Sequence, residues 1–295
     1  MNKLCLLLLS GMFAASPVSF GQFQTTLTTT AGQYVIHANS FDDATVLGGG
    51  ADFAVSGVQG DYLFRHMFAY RQTGDSREYM VADQAATFSN TANTWDAVIL
   101  RNVNDAGPDT LRFDVNYTLT SLNPNSPLLT WCIIVTNIAN YPIDYSLFAY
   151  YDFDIPDATG FPTTDQIVSH QPIGNGFLSR QQNTTTPTNY VTTYAAEVGA
   201  FQHGPLYESI FSNGGIDNLN NQWNQGVGDM AMGFQFFGTL LPGQSSTCPG
   251  QGTALNGEVP EPATLVCLSA GAAALLARRS QRGRRDTHGR RTIVI

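Results

Sequence analysis

The chain has 295 residues, 43% of them hydrophobic and 13% charged, with a formal net charge of −9. Lys3 and the seven arginines from Arg278 onward hold most of the positive charge, so residues 22–277 carry six arginines and no lysine against 22 carboxylates, a formal charge of −16. A surface of that sign repels phosphate backbones and argues against nucleic acid as a partner, while the apolar and aromatic content argues against a disordered stalk.

Read from the start, Lys3 precedes an apolar run from Leu4 to Ala15, followed by Pro17 and the small residues Ser19 and Gly21. That is the layout of a cleavable secretory signal peptide over residues 1–21, with the cut expected between Gly21 and Gln22. Cys5 lies inside the apolar run and leaves with it.

Residues 22–248 read as β throughout. Strands are expected at Thr25–Thr30, Gln33–His37, Ala51–Ser56, Asp61–Arg71 and Trp95–Val103. Leu111–Leu119 then alternates, with Leu111, Phe113, Val115, Tyr117 and Leu119 on one side and Arg112, Asp114, Asn116 and Thr118 on the other, the period of a strand with one buried face. Leu128–Val135 is continuously apolar, which suits a strand covered on both faces. Asn123-Pro124-Asn125-Ser126-Pro127 between them is turn chemistry, so the two form a hairpin. Further strands are expected at Ile143–Asp152, Gln166–His170, Tyr190–Tyr194 and Met230–Phe237, with a helical turn at Leu206–Phe211 and a Gly/Asn-rich loop over Ser212–Gly228. Many short strands between Gly, Pro and Asn turns predict an all-β fold, a single large antiparallel β-sandwich. The glycines Gly250, Gly252 and Gly257 among polar residues predict a flexible linker over 249–258.

The C-terminal segment has its own physics. Val259-Pro260-Glu261-Pro262 is a stiff, non-helical box, because each proline fixes its own φ and pushes its neighbour toward an extended conformation. The uncharged stretch Ala263–Ala277 follows as a helix of 15 residues. At about 1.5 Å per residue it reaches roughly 22 Å, short of a roughly 30 Å hydrocarbon core. Arg278, Arg279, Arg282, Arg284 and Arg285 close it, and they are expected to stay cytoplasmic. This succession over residues 259–285 closely resembles the PEP-CTERM protein-sorting signal of bacterial envelope and extracellular proteins. The resemblance implies export, a transient hold by the short transmembrane helix 263–277, processing by an exosortase-type sorting protease, and delivery to the cell envelope or extracellular matrix. Residues 286–295, ending in Ile293-Val294-Ile295, run past the basic cluster as an expected cytoplasmic extension, longer than such signals usually carry.

A second resemblance rests on Trp131–Asn137, on Tyr145–Asp154 with its Tyr-x-Asp-x-Asp ending, on Phe234-Gln235-Phe236, and on Leu241-Pro242-Gly243-Gln244-Ser245. These pieces are similar to the large twisted β-sandwich (supersandwich-like) class shared by sugar-processing and sugar-binding proteins. The similarity implies a fold and transfers no active site.

Candidate chemistry is sparse. Asp152, Asp154, Asp157 and Asp165 lie within one strand end and loop, and alternation puts Asp152 and Asp154 on one face, where calcium is a possible ligand. The spacing is not that of an EF-hand, and aspartates capping turns on an acidic surface are the stronger reading, so no cofactor or metal is expected. His37, His66, His170 and His203 show no zinc-ligand spacing, and Gly48-Gly49-Gly50 lacks the lysine of a phosphate loop. No catalytic residue is expected. Cys132 and Cys248 are the only thiols left once Cys5 departs and Cys267 enters the membrane, and they either pair or stay free. Among the aromatics, Trp95 and Trp131 sit in apolar strands as core, whereas Trp223, in a polar loop, is the expected platform if the protein binds sugar. The sequence therefore reads as a non-enzymatic exported surface or matrix protein. A polysaccharide-binding module is the second reading and a secreted carbohydrate-active enzyme the third.

Overall fold

A computed structural model describes residues 24–37, 53–56, 62–63, 65–81, 85–156, 164–204, 215–248, 251–257 and 259. The signal peptide, the helical turn at 206–211, Asp157, Pro260, Glu261, Pro262, Arg278, Arg279, the 263–277 helix and the 286–295 extension lie outside them.

The described chain is all-β. Its strands are β1 (Gln24–Thr28), β2 (Gly32–His37), β3 (Phe53–Val55), β4 (Arg65–Gln72), β5 (Tyr79–Met80), β6 (Ala85–Asn90), β7 (Thr94–Arg101), β8 (Leu111–Asn123) and β9 (Ser126–Asn137). They continue as β10 (Ile143–Asp152), β11 (Asp165–Ile173), β12 (Gly176–Asn183), β13 (Tyr190–Ala196), β14 (Ala200–Gly204), β15 (Gln222–Trp223), β16 (Val227–Gly228), β17 (Ala231–Leu240) and β18 (Gln251–Leu255). A nine-stranded sheet, β16-β11-β12-β13-β18-β9-β8-β7-β6, faces a six-stranded sheet, β15-β14-β17-β10-β4-β5, and β1-β2-β3 form a small third sheet. Apart from the short parallel pair β14 and β15, every pairing is antiparallel.

Period-2 alternation builds the core. On β8, Leu111, Phe113, Val115, Tyr117 and Leu119 are buried while Arg112 is exposed, as the sequence pattern requires. The expected β8–β9 hairpin forms, pairing Leu111 with Asn137 and Leu119 with Leu129. From β9 come Leu129, Trp131, Ile133 and Val135, from β10 Leu147, Ala149 and Tyr151, and from β17 Met232, Phe234 and Phe236, all in one cluster between the sheets.

Rings at its centre tie the three sheets together. Phe68 of β4 meets the Trp131 ring edge-on at 4.5 Å, His66 stacks on Tyr151 at 4.3 Å, and Tyr34 of β2 stacks on Tyr117 at 5.7 Å. Trp131 Nε1 donates to the Tyr151 hydroxyl, which satisfies two polar groups that burial would otherwise strand. Trp95 is buried as well.

The last strand departs from the sequence expectation. Residues 249–258 read as a flexible linker, yet Gln251–Leu255 is a strand inserted between β13 and β9, pairing Val191 with Leu255 and Trp131 with Gln251. The sandwich therefore extends past 248. Its small residues suit the position because both faces are covered. Leu255 faces the main core, while Ala254 joins Leu128, Tyr194, Ala196 and Val259 in a second cluster on the opposite face. Thr253 meets Thr193 across the ladder at 3.3 Å, oxygen to oxygen.

Removing the central ring is the sharpest test of this core. Trp131→Ala should cost about 3–5 kcal/mol of unfolding free energy, within the range for truncating a buried aromatic. Trp223→Ala, at a half-buried ring, should cost well under half of that. Equal shifts in urea midpoint for the two variants would contradict the assignment.

Candidate functional site

Three constellations and one surface groove bear on function. The first is carboxylate. Asp152 ends β10 and pairs with Ala231 at the start of β17, so Asp154 and Asp229 each lie two residues beyond that last pair. One oxygen from each of Asp152, Asp154 and Asp229 falls within 4.8 Å of the others. Asp165 stands behind them, 1% exposed, its backbone paired with Gly228 and its Oδ2 accepting from Ile155 N at 3.1 Å. Burial pushes its pKa up to about 7, with the charges of Asp154 and Asp229 adding to the rise against hydrogen bonds from Ile155 and Gln181. Gln181 Nε2 also donates to the carbonyls of Phe153 and Met230, bracing both strand ends that carry the cluster. Of the four aspartates singled out in sequence, the structure thus gathers Asp152, Asp154 and Asp165 and adds Asp229. That fourth member lies far along the chain, and only its position just ahead of the Met230–Phe237 strand signal pointed to it.

The second constellation is imidazole. His170 on β11, Ser179 on β12 and His203 on β14 meet across the two sheets: His170 Nδ1 to Ser179 Oγ is 2.8 Å, Ser179 Oγ to His203 Nε2 is 3.0 Å, and the two ring nitrogens are 2.9 Å apart. Phe177 stacks on His170 at 4.7 Å, Phe201 lies 4.1 Å from it, and Trp223 closes the box at 5.9 Å. Burial pushes His170 down to about 4, and burial together with the neighbouring His170 pushes His203 down to about 3. Both are neutral at neutral pH. Sequence spacing showed these histidines as isolated because two different sheets supply them. Among the described residues no carboxylate orients either ring, so the arrangement lacks the orienting acid of a hydrolytic triad.

Third, Cys132 and Cys248 are joined, with an S–S distance of 2.05 Å and Cα atoms 5.5 Å apart. The bridge ties β9 to the segment leading into β18.

The groove lies on the outer face of the six-stranded sheet, with a volume of about 880 Å³. Arg71, Asp144, Asn218 and Gln235 are among its polar lining residues, and Tyr145 and Phe237 supply its rings. Phe237 is 58% exposed, and its ring lies over Gly199, where a Cβ would come within 2.3 Å and push the ring aside. The platform expected at Trp223 is not available. That ring is half-buried against the core, and its Nε1 donates to the Ile167 carbonyl at 3.3 Å. Tyr150 and Tyr151 are both buried.

At the C-terminal edge, Asn256 takes a left-handed turn (φ 48°), accepts from Tyr190 N at 3.0 Å and donates to the Tyr62 hydroxyl at 2.8 Å. Val259, the first residue of the Pro-Glu-Pro box, is then 8% exposed in the outer cluster with Leu128 and Tyr194.

Comparison with known proteins adds the following. Residues 258–282 match the PEP-CTERM protein-sorting motif. The chain therefore carries a sorting signal that implies export and processing by an exosortase, a membrane enzyme. No curated protein matches the chain. Among solved structures, a galactose mutarotase related enzyme from Lactobacillus acidophilus aligns over 81% of this chain and 99% of its own, at 10% identity and a TM-score of 0.47. A polysaccharide lyase aligns over 84% of this chain and 35% of its own at 10% identity and TM-score 0.44, and a galactose mutarotase-like protein from Lactobacillus casei over 79% and 99% at 10% and 0.42.

The buried imidazoles set a pH dependence. His66, like His170 and His203, is held neutral in the fold, at about 3, by burial alone. Because the folded values lie below the unfolded 6.5, the unfolded chain takes up these protons first, and stability present above pH 6.5 is lost as pH falls toward 4 and below. Melting temperatures at pH 7, 6, 5 and 4 should decline accordingly, and His203→Gln should flatten the decline relative to its own pH 7 value. An unchanged profile in that variant would contradict neutral burial.

Proposed function

We propose that the chain is a non-catalytic exported surface protein, freed from its tail by an exosortase-type protease and retained in the cell envelope or extracellular matrix. The observation that carries this reading is the sorting motif at 258–282, which follows β18 with two residues between them. Placement of the ionisable groups supports the non-catalytic part. The displaced imidazoles and carboxyl, His66, His170, His203 and Asp165, do not line the large groove, and the displaced group that does is the Tyr145 phenol, raised by burial, whereas a working active site normally puts its perturbed acid and base groups beside a cavity. An acidic, lysine-poor surface suits a protein that has to stay soluble and apart from anionic neighbours.

Glycan binding is the second reading, favoured by one feature: an exposed ring, Phe237, beside Arg71, Asn218, Asp144 and Gln235 in an open groove. Phe237→Ala should then remove binding on a glycan array while leaving the melting temperature within a degree or two. Retained binding would move the site elsewhere.

The principal test is the mature C-terminus. Mass spectrometry of fractionated cells should find the protein ending close to Pro262 and outside the cytoplasm in wild-type cells, and with its tail intact in the membrane fraction of cells lacking the sorting protease. An intact tail in both strains would refute the sorting reading.

A further inference from the structure

The turn that carries the chain from β13 in one sheet to β14 in the other is built against its residue type. Of the four non-glycine residues with left-handed backbone among the described residues, Asn104, Asn221 and Asn256 are asparagines, which tolerate it, and the fourth is Glu197 at φ 55°. Strain of this kind persists where the surroundings over-determine it, and it gathers at functional sites. Glu197 N donates to the Asn175 carbonyl at 2.9 Å, and its Oε2 accepts from Thr247 Oγ1 at 2.6 Å. Thr247 precedes Cys248, which the bridge to Cys132 ties to β9. Gly199, two residues on, lies under the Phe237 ring, so one short turn serves both the carboxylate and the ring of the groove.

Beside that carboxylate is a second cavity of about 320 Å³, at the lower end of the range that holds small ligands. Ile133 of β9 and Phe236 of β17 contribute apolar lining, and Glu197, Ser246 and Thr247 contribute polar lining. Tyr145 and Phe237 line both this cavity and the 880 Å³ groove, so the two hollows adjoin across a pair of rings. Burial holds the Tyr145 phenol above its ordinary value against a hydrogen bond with Ser246, and the charge of Glu197 adds to the rise. Tyr145 therefore keeps its proton beside Glu197.

We propose that Glu197 is the specificity-determining residue of a neutral-sugar subsite: a polysaccharide lies along the groove over Phe237, and one uncharged sugar unit enters the adjoining cavity, where its hydroxyls donate to the Glu197 carboxylate. This rests on the glycan-binding reading of the groove and assigns it a class of glycan. Charge selects that class. Among the described residues that line the two cavities Arg71 is the sole cation, and it is engaged by Glu78 at 2.5 Å, the Asp217 carbonyl at 2.6 Å and Asn218 Oδ1 at 2.9 Å. Glu197 and Asp144 bring negative charge to the lining, so uronate, sulfate or phosphate on a glycan meets repulsion there. A carboxylate has acceptor capacity for two neighbouring hydroxyls at once, which suits a sugar ring.

A glycan array carrying neutral glucans, galactans and mannans beside alginate and polygalacturonate tests this with the exported protein, Phe237→Ala, Glu197→Asn and Glu197→Gln. The wild type should retain a neutral glycan and neither uronate polymer, and both Glu197 variants should bind that glycan at least about fivefold more weakly, the scale of losing a hydrogen bond to a charged group. Asparagine relieves the left-handed strain, so Glu197→Asn should melt no lower than wild type even as its binding falls. A merely structural glutamate would instead lose stability together with binding, which would overturn the proposal. So would wild-type affinity in both Glu197 variants while Phe237→Ala abolishes binding, an outcome that leaves the groove reading standing. Preference of the wild type for the uronate polymers would also overturn it. Absence of any retained glycan would refute the groove reading itself, and the subsite with it.

Discussion

The architecture depends on one strand arriving last. In the nine-stranded sheet, β18 is the sole link between β16-β11-β12-β13 on one side and β9-β8-β7-β6 on the other. Without it the sheet would open into two four-stranded halves, each with an unpaired edge in the middle of the sandwich. Backbone groups of Val191–Ala195 and Leu128–Trp131 would then lose their ladder partners where no water replaces them. The sorting motif begins at residue 258, after Asn256 and Gly257. Completion of the fold and presentation of the tail are therefore contiguous events along the chain. A body that has closed its sheet holds Val259, the residue before Pro260, in an apolar cluster with Leu128 and Tyr194.

The sandwich that β18 closes is held by rings more than by charges. Trp131, Tyr151, Phe68, His66, Tyr117 and Tyr34 draw from all three sheets, and their polar tips are directed at one another, as in the bonds from Trp131 to Tyr151 and between Tyr34 and His66. This arrangement lets a body poor in cations fill its centre with neutral rings. Three carboxylates, Asp152, Asp154 and Asp229, come within 4.8 Å of one another at the β10–β17 end.

Much of this was legible in the sequence, and the failures have physical causes. The alternation over Leu111–Leu119 and the turn at Asn123–Pro127 specify a hairpin because both signals are local. The tail was legible for the same reason. β18 was not, since Gly252 and Ala254 disfavour strands and the segment holds its place through neighbours on two other strands, β9 and β13. His170, Ser179 and His203 were missed likewise, because nothing in their spacing reveals that β11, β12 and β14 bring them within 3.0 Å of each other. Asp229 falls between the loop read at Ser212–Gly228 and the strand read at Met230–Phe237, and nothing local ties it to Asp152 and Asp154.

The dependence on β18 is open to a direct measurement, urea unfolding of two truncated forms of the exported chain, one ending after Val259 and one after Cys248. Both keep the two cysteines, so the bridge cannot account for a difference between them. The form ending at Val259 should unfold in a single cooperative transition, and the form ending at Cys248 should lose that transition or show it at a far lower midpoint. If the shorter chain unfolds cooperatively at the same midpoint as the longer one, β18 is not the strand that closes the sheet.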